Sequence, residues 1–165
     1  MTVTRRTTLL SGLPAGLFIA AADASATATA LTPAETGLLD AAFDARKHAY
    51  APYSKFFVGA ALLTENGTVI PGCNVENASF GATNCAERTA IFAAVAQGHT
   101  KFRALAVVGD LDAPITPCGI CRQVLAEFGH ETVVVCSNLK RDTMVTTAGA
   151  LLPGAFDFAK GRSKT

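Results

Sequence analysis

The chain has 165 residues, with 14 basic and 13 acidic side chains and a formal charge of only +1. Its lysines and arginines are dispersed, which gives little electrostatic support to polynucleotide binding, so no nucleic-acid partner is expected. Half of the residues are hydrophobic, enough for the core of one domain of ordinary size.

In chain order, Arg5-Arg6 comes first, followed by an apolar stretch over residues 9–22 and by Ala24-Ser25-Ala26. These are the three regions of a signal peptide, and the arginine pair resembles a twin-arginine export signal. The apolar stretch is too short to span a membrane comfortably, so no stable membrane anchor is expected. Residues 1–26 therefore read as a candidate signal for export to the periplasm or beyond. The alternatives are a tail on a cytoplasmic protein or a translation start further downstream. Residues 27–31 read as a linker, 32–158 as one domain and 159–165 as a C-terminal tail.

Thr32-Pro33-Ala34-Glu35 spells an N-cap, a proline at N1 and a glutamate at N3, opening a helix that ends near Tyr50. Leu38, Leu39, Ala42 and Phe43 form its apolar face. Residues 57–63 and 68–75, separated by Glu65-Asn66-Gly67, predict an antiparallel hairpin. Asn74 and Glu76 alternate at the end of its second strand and point to one side, either as a solvated polar face or as a pair able to bind vicinal hydroxyls. A helix follows from Cys85 to about Gln97, with Gly98 as its stop. Asn84-Cys85-Ala86-Glu87 at its start also spells a capping box, with Asn84 as N-cap.

Residues 102–108 and 132–136 are apolar and β-branched and predict strands. Between them Thr116-Pro117 reads as N-cap and N1 of a helix running to Phe128 and closed by Gly129. A strand, helix and strand in this order form a right-handed parallel crossover. Joined to the hairpin, it gives a mixed central sheet with helices on both faces, a three-layer α/β/α domain.

Cys85, Cys118 and Cys121 all fall at helix starts, where the macrodipole and free N–H groups favour thiolates. Three thiolates hold zinc firmly and leave the fourth tetrahedral position open for water or substrate. Glu87, one residue beyond Ala86, is placed to relay a proton from an activated water to a leaving nitrogen. Arg88, one turn from Cys85, can donate hydrogen bonds to the sulfurs. Three competing readings stand beside this one: Glu87 as a cap, Cys118 and Cys121 as a redox pair, and a noncatalytic zinc-stabilised module with a fourth protein ligand. His48, His99 and His130 lie in no motif that matches the site, and Cys73 and Cys136 read as buried structural thiols.

Several segments together resemble the small, homotetrameric cytidine deaminases of nucleoside salvage. They are Tyr50-Ala51-Pro52-Tyr53-Ser54-Lys55-Phe56, Gly72-Cys73-Asn74-Val75-Glu76-Asn77-Ala78, Asn84-Cys85-Ala86-Glu87-Arg88-Thr89-Ala90, Pro117-Cys118-Gly119-Ile120-Cys121-Arg122-Gln123-Val124 and Leu151-Leu152-Pro153-Gly154-Ala155-Phe156. The resemblance implies hydrolytic deamination of cytidine and 2'-deoxycytidine, or of a related aminopyrimidine nucleoside such as a nucleoside antibiotic. It implies one zinc ion per subunit on Cys85, Cys118 and Cys121, with Glu87 moving the protons. It further implies that Asn74 and Glu76 hold the ribose, that Phe56 packs on the pyrimidine and that Phe156 closes over a neighbouring subunit's base. Tyr53 and Phe80 would lie at subunit contacts. Related deaminases often carry tyrosine where this chain has Phe80, so a hydroxyl near the sugar is lost.

Overall fold

The computed structural model describes residues 30–157. The candidate export signal, most of the linker and the C-terminal tail lie outside the described residues. The elements in order are α1 (Pro33–Arg46), β1 (Gly59–Thr64), β2 (Val69–Cys73), a 3-10 turn (Phe80–Ala82), α2 (Ala86–Ala96), β3 (Phe102–Gly109), α3 (Gly119–Phe128), β4 (Val133–Asn138), β5 (Thr143–Thr147) and α4 (Ala148–Leu151).

One five-stranded sheet runs β2-β1-β3-β4-β5. Only β3 and β4 are parallel, joined through α3 as the crossover pattern requires, while the other neighbours pair antiparallel. The period-2 alternation of strands sorts the core into two layers. Ala61, Ala104, Ala106, Val108 and Val135 face Leu38, Leu39 and Ala42 of α1. Ala60, Leu62, Leu105, Val107, Val134 and Cys136 face the opposite way, against Ala86, Ala90, Ile91, Ala94 and Leu125. The domain is therefore the expected three-layer α/β/α arrangement on a mixed sheet.

Small residues on the sheet set how closely the helices approach. A Cβ on Gly72 of β2 would stand 2.4 Å from the Ala86 carbonyl oxygen and 2.5 Å from the Ala90 amide nitrogen. Glycine there lets the first turns of α2 press directly on the strand, and that turn carries Glu87. The expected antiparallel hairpin is present, on strands 59–64 and 69–73, with Gly67 at a φ of 89° in the turn.

The structure corrects three predicted boundaries and adds two elements. The capping box at Thr32 and Glu35 is present, but α1 stops at Arg46 because Tyr50 N–H turns to the Asn74 carbonyl (3.0 Å). Asn84 is not the N-cap of α2. Its backbone exchanges two hydrogen bonds with Val75, both 2.9 Å, and its side-chain amide donates to Thr89 Oγ1 (3.0 Å), so the cap falls to Cys85. Thr116 is likewise not the cap of α3, because Arg122 Nη2 donates to its hydroxyl (2.9 Å) and Arg122 Nε to the Pro117 carbonyl (2.7 Å); Cys118 is the cap. Edge strand β5 and helix α4 carried no sequence expectation. The β4–β5 turn places Arg141 rather than glycine at a φ of 65°, and Thr143–Thr147 is half-exposed, so neither a turn residue nor clean alternation marked them.

Candidate metal and substrate site

Cys85 and Cys118 cap the two helices α2 and α3, and Cys121 sits within the first turn of α3. Their sulfurs all lie within 4.8 Å of one another. Cys85 Sγ stands 3.8 Å from Cys118 Sγ, and Cys118 Sγ 3.5 Å from Cys121 Sγ. Two sulfurs bound 2.3 Å from one tetrahedral zinc ion would be about 3.8 Å apart, so the donor set fits zinc in both type and spacing. Among the described residues this is the one group of three or more His, Cys, Asp or Glu so gathered. A protein-supplied fourth ligand, which a closed structural site needs, is not in the cluster.

Charge around the sulfurs favours thiolate. Arg88 Nη2 donates to the Thr83 carbonyl (3.2 Å) and to Cys85 Sγ (3.7 Å). A hydrogen bond from Cys121, together with Arg88, holds the Cys85 thiol well below its usual range, while the proton the pair retains sits on buried Cys121. Arg88 Nε is buried without a hydrogen-bond partner. The guanidinium therefore spends its contacts on the Thr83 carbonyl, which the sequence did not announce, and on the Cys85 sulfur.

Glu87 is only 4% exposed. Burial pushes its carboxyl up to about 7, with the nearby Cys85 charge adding to the effect. It faces a cavity of about 400 Å³ together with Phe56, Val58, Asn74, Asn84, Cys85 and Cys118. A carboxyl group poised near neutrality, beside an open metal position and inside a concave apolar space, can both accept and return a proton. The capping role for Glu87 is thereby excluded, since its side chain faces the cavity and Cys85 makes the cap.

The remaining expected residues separate into two groups. Phe56 and Asn74 reach the cavity. Asn74 Oδ1 accepts from Val58 N–H (2.9 Å) and its Nδ2 donates to the Phe56 carbonyl (2.8 Å), so this buried amide also shapes the chain around Phe56. Glu76 instead lines an adjoining cleft with Tyr53, Ser54, Phe80 and Thr83, and the two spaces meet at Thr83. Its carboxylate accepts from Tyr53 N–H (2.8 Å), Ser54 N–H (3.2 Å) and the Ser54 hydroxyl, which lowers its pKa. Tyr53 and Phe80 meet edge to face at 5.7 Å and remain 51% and 74% exposed. Phe156, 71% exposed, lies away from the cavity beside Phe128, Gly129 and His130.

Sequence reasoning missed one wall altogether. Leu111, Ala113, Pro114, Ile115 and Thr116 line the side of the cavity between β3 and α3. The segment has neither period nor motif, and the available signal was only its place, immediately after a parallel strand and before the Cys118 and Cys121 pair.

Residues 34–137 match the family model described as "Cytidine and deoxycytidylate deaminase zinc-binding region". A cytidine deaminase of Sporosarcina psychrophila is 58% identical over 113 residues, covering 68% of this chain and 83% of that one. One from Halalkalibacterium halodurans is 53% identical over 120 residues, covering 72% and 91%. Among solved structures, the cytidine deaminase of Burkholderia pseudomallei superposes with a TM-score of 0.73 at 55% identity, covering 76% of this chain and all of that one.

Proposed function

The chain belongs to the cytidine and deoxycytidylate deaminase family, and from that premise we propose that it deaminates free cytidine and 2'-deoxycytidine, giving uridine or 2'-deoxyuridine and ammonia. The observation that carries this reading is a zinc-type sulfur triad and a buried, protonatable Glu87 at one end of a single cavity. Cys85, Cys118 and Cys121 would hold the zinc ion, which when bound would supply Lewis-acid activation of the attacking water. Glu87 takes a proton from that water as the oxygen bonds to C4 and delivers it to ring N3, then takes the second proton from the C4 hydroxyl and passes it to the amine, so that C4=O forms as the C4–N bond breaks. The net change consumes one water and releases one ammonia. Phe56 offers its ring to the pyrimidine. Asn74 keeps one amide hydrogen and one lone pair beyond its backbone bonds, enough to meet a ribose hydroxyl, and Glu76 approaches the sugar from the adjoining cleft.

A nucleoside is favoured over a nucleotide because no Lys, Arg or His is among the described residues lining the cavity. The full chain, loaded with zinc, is expected to release ammonia from cytidine and 2'-deoxycytidine and not from 2'-deoxycytidylate. Release from the nucleotide alone, or from none of the three, overturns the reading.

Two finer readings complete the proposal. The active form is a homotetramer, supported by the exposure of Tyr53, Phe80 and Phe156 next to clefts rather than in the core; a monomer of full activity in solution scattering contradicts it. Residues 1–26 direct export, supported by the order of Arg5-Arg6, the apolar stretch and Ala24-Ser25-Ala26. Amino-terminal sequencing of secreted and cytosolic protein tests that, and an uncleaved cytosolic form contradicts it.

A further inference from the structure

The wall formed by Leu111, Ala113, Pro114, Ile115 and Thr116 has no helix or strand to hold it, yet it makes one side of the substrate space. Its backbone is tied to β4 by Ile115 N–H on the Ser137 carbonyl (3.2 Å). At its far end Arg122 Nη2 grips Thr116 Oγ1 (2.9 Å). At its near end an exposed ion pair joins Lys140 to Asp112 at 3.0 Å, in solvent where such pairs contribute little. Ile115 itself packs into the core, and the remaining polar hold, on the near half of the wall, is Asn138, a side chain with no exposed surface, whose Nδ2 donates to the Asp112 carbonyl at 2.8 Å.

The amide of Asn138 is fully used, and its bonds divide into two jobs. Oδ1 accepts from Lys140 N–H (3.0 Å) and Asp142 N–H (2.9 Å), and one Nδ2 hydrogen goes to Asp142 Oδ2 (2.8 Å). Those bonds build the β4–β5 turn, and an aspartate could make the acceptor half of them. The bond to Asp112 serves no part of the turn. It reaches across to the cavity wall, and only a side chain with a second donor can make it.

We propose that Asn138 is a positioning residue for the deaminase reaction, fixing the 111–116 wall through the Asp112 carbonyl and thereby setting affinity for the nucleoside without touching it. This rests on the deaminase reading above. Glu87 and the sulfurs stand on α2 and α3, which the turn does not hold, so loosening the wall weakens substrate binding more than turnover.

The test uses four full-length, zinc-loaded proteins: the wild type, Asn138→Asp, the exchange variant Asn138→Asp with Asp142→Asn, and Asp142→Ala. Asn138→Asp keeps the two bonds that Oδ1 accepts but sets a carboxylate against both Asp142 and the Asp112 carbonyl, so it weakens the turn and loses the tether. The exchange variant restores the turn bond with the donor reversed, and leaves the Asp112 carbonyl facing an acceptor. Asp142→Ala weakens the turn and keeps the tether. The expected result is a KM for cytidine raised about tenfold or more in both Asn138 variants, with kcat near wild type. Tm should recover in the exchange variant and KM should not, while Asp142→Ala lowers Tm with KM unchanged. A KM that returns with Tm in the exchange variant, or one that rises equally in Asp142→Ala, overturns the proposal and assigns Asn138 to the turn alone. Should Asn138→Asp alone fail to fold, the exchange variant still decides. Amide exchange over residues 111–116 reads the tether apart from turnover. Faster exchange in the exchange variant than in Asp142→Ala is expected, and equal protection contradicts the proposal, whereas a wild type inactive on cytidine counts against the deaminase reading itself.

Discussion

At one end of the cavity, Cys85, Glu87 and Cys118 are delivered by the first turns of two helices pressed onto the sheet, while the wall over residues 111–116 has no regular structure. Backbone hydrogen bonding and core packing along whole helices fix the first region. The second rests on the packing of Ile115, one backbone bond to β4 and a few polar side-chain contacts. The two regions should therefore fail differently, the helix starts through metal and turnover, the wall through substrate affinity.

The largest expected effect attacks the helix starts. Cys121→Ser leaves two sulfurs and a hydroxyl, and the isolated chain should lose its zinc on mild chelation together with all measurable deamination. Metal analysis alongside ammonia release checks this, and full activity with two cysteines would show that the triad is not the metal site.

A smaller effect attacks the wall without touching a hydrogen bond. A Cβ on Gly109 would lie 2.7 Å from Ile115 Cδ1 and 3.1 Å from Phe56 Cζ, both side chains that face the cavity. Gly109→Ala should raise KM for cytidine by about tenfold while zinc content stays at wild type. Steady-state kinetics with metal analysis distinguishes this from a global defect, in which both would fall. A lower kcat at unchanged KM would blur the division between the two regions.

The smallest effect concerns stability alone and only the metal-free chain. Glu87 holds its proton up to about 7 when folded, against an ordinary value of 4.5, so between those pH values the native state binds a proton that the unfolded state has lost. The Glu87 contribution to stability therefore falls as pH rises from 4.5 to about 7, against the rise contributed by the Cys85 thiol, which is held low in the folded chain. Thermal unfolding of the chelated protein and of chelated Glu87→Gln should differ by that falling slope, the variant gaining more stability with pH, and parallel profiles would contradict it.

The same contrast explains what could be read from the sequence. Caps, prolines at N1 and terminal glycines marked the helices, and apolar, β-branched runs and the Glu65-Asn66-Gly67 turn marked four of the five strands, because those signals are local. Cysteine spacing likewise announced the metal residues. What stayed hidden depended on contacts between distant segments. Asn84 looks like a cap until its backbone is seen paired with Val75, and Thr116 until Arg122 reaches its hydroxyl. Phe56 and Asn74, named through the resemblance, line the cavity, whereas nothing in Asp110 to Thr116 distinguishes a cavity wall from an ordinary loop. Asn138 carried no sequence expectation, because its second donor matters only once Asp112 has been folded back against it.

Glu87→Gln tests the central claim most directly, since it keeps the shape of the side chain and removes its capacity to move a proton. Zinc bound per subunit and the rate of ammonia release from cytidine should be measured on the same preparation. Zinc at the wild-type level with kcat reduced about a thousandfold is the expected result. Near-normal turnover at the same zinc content would contradict it.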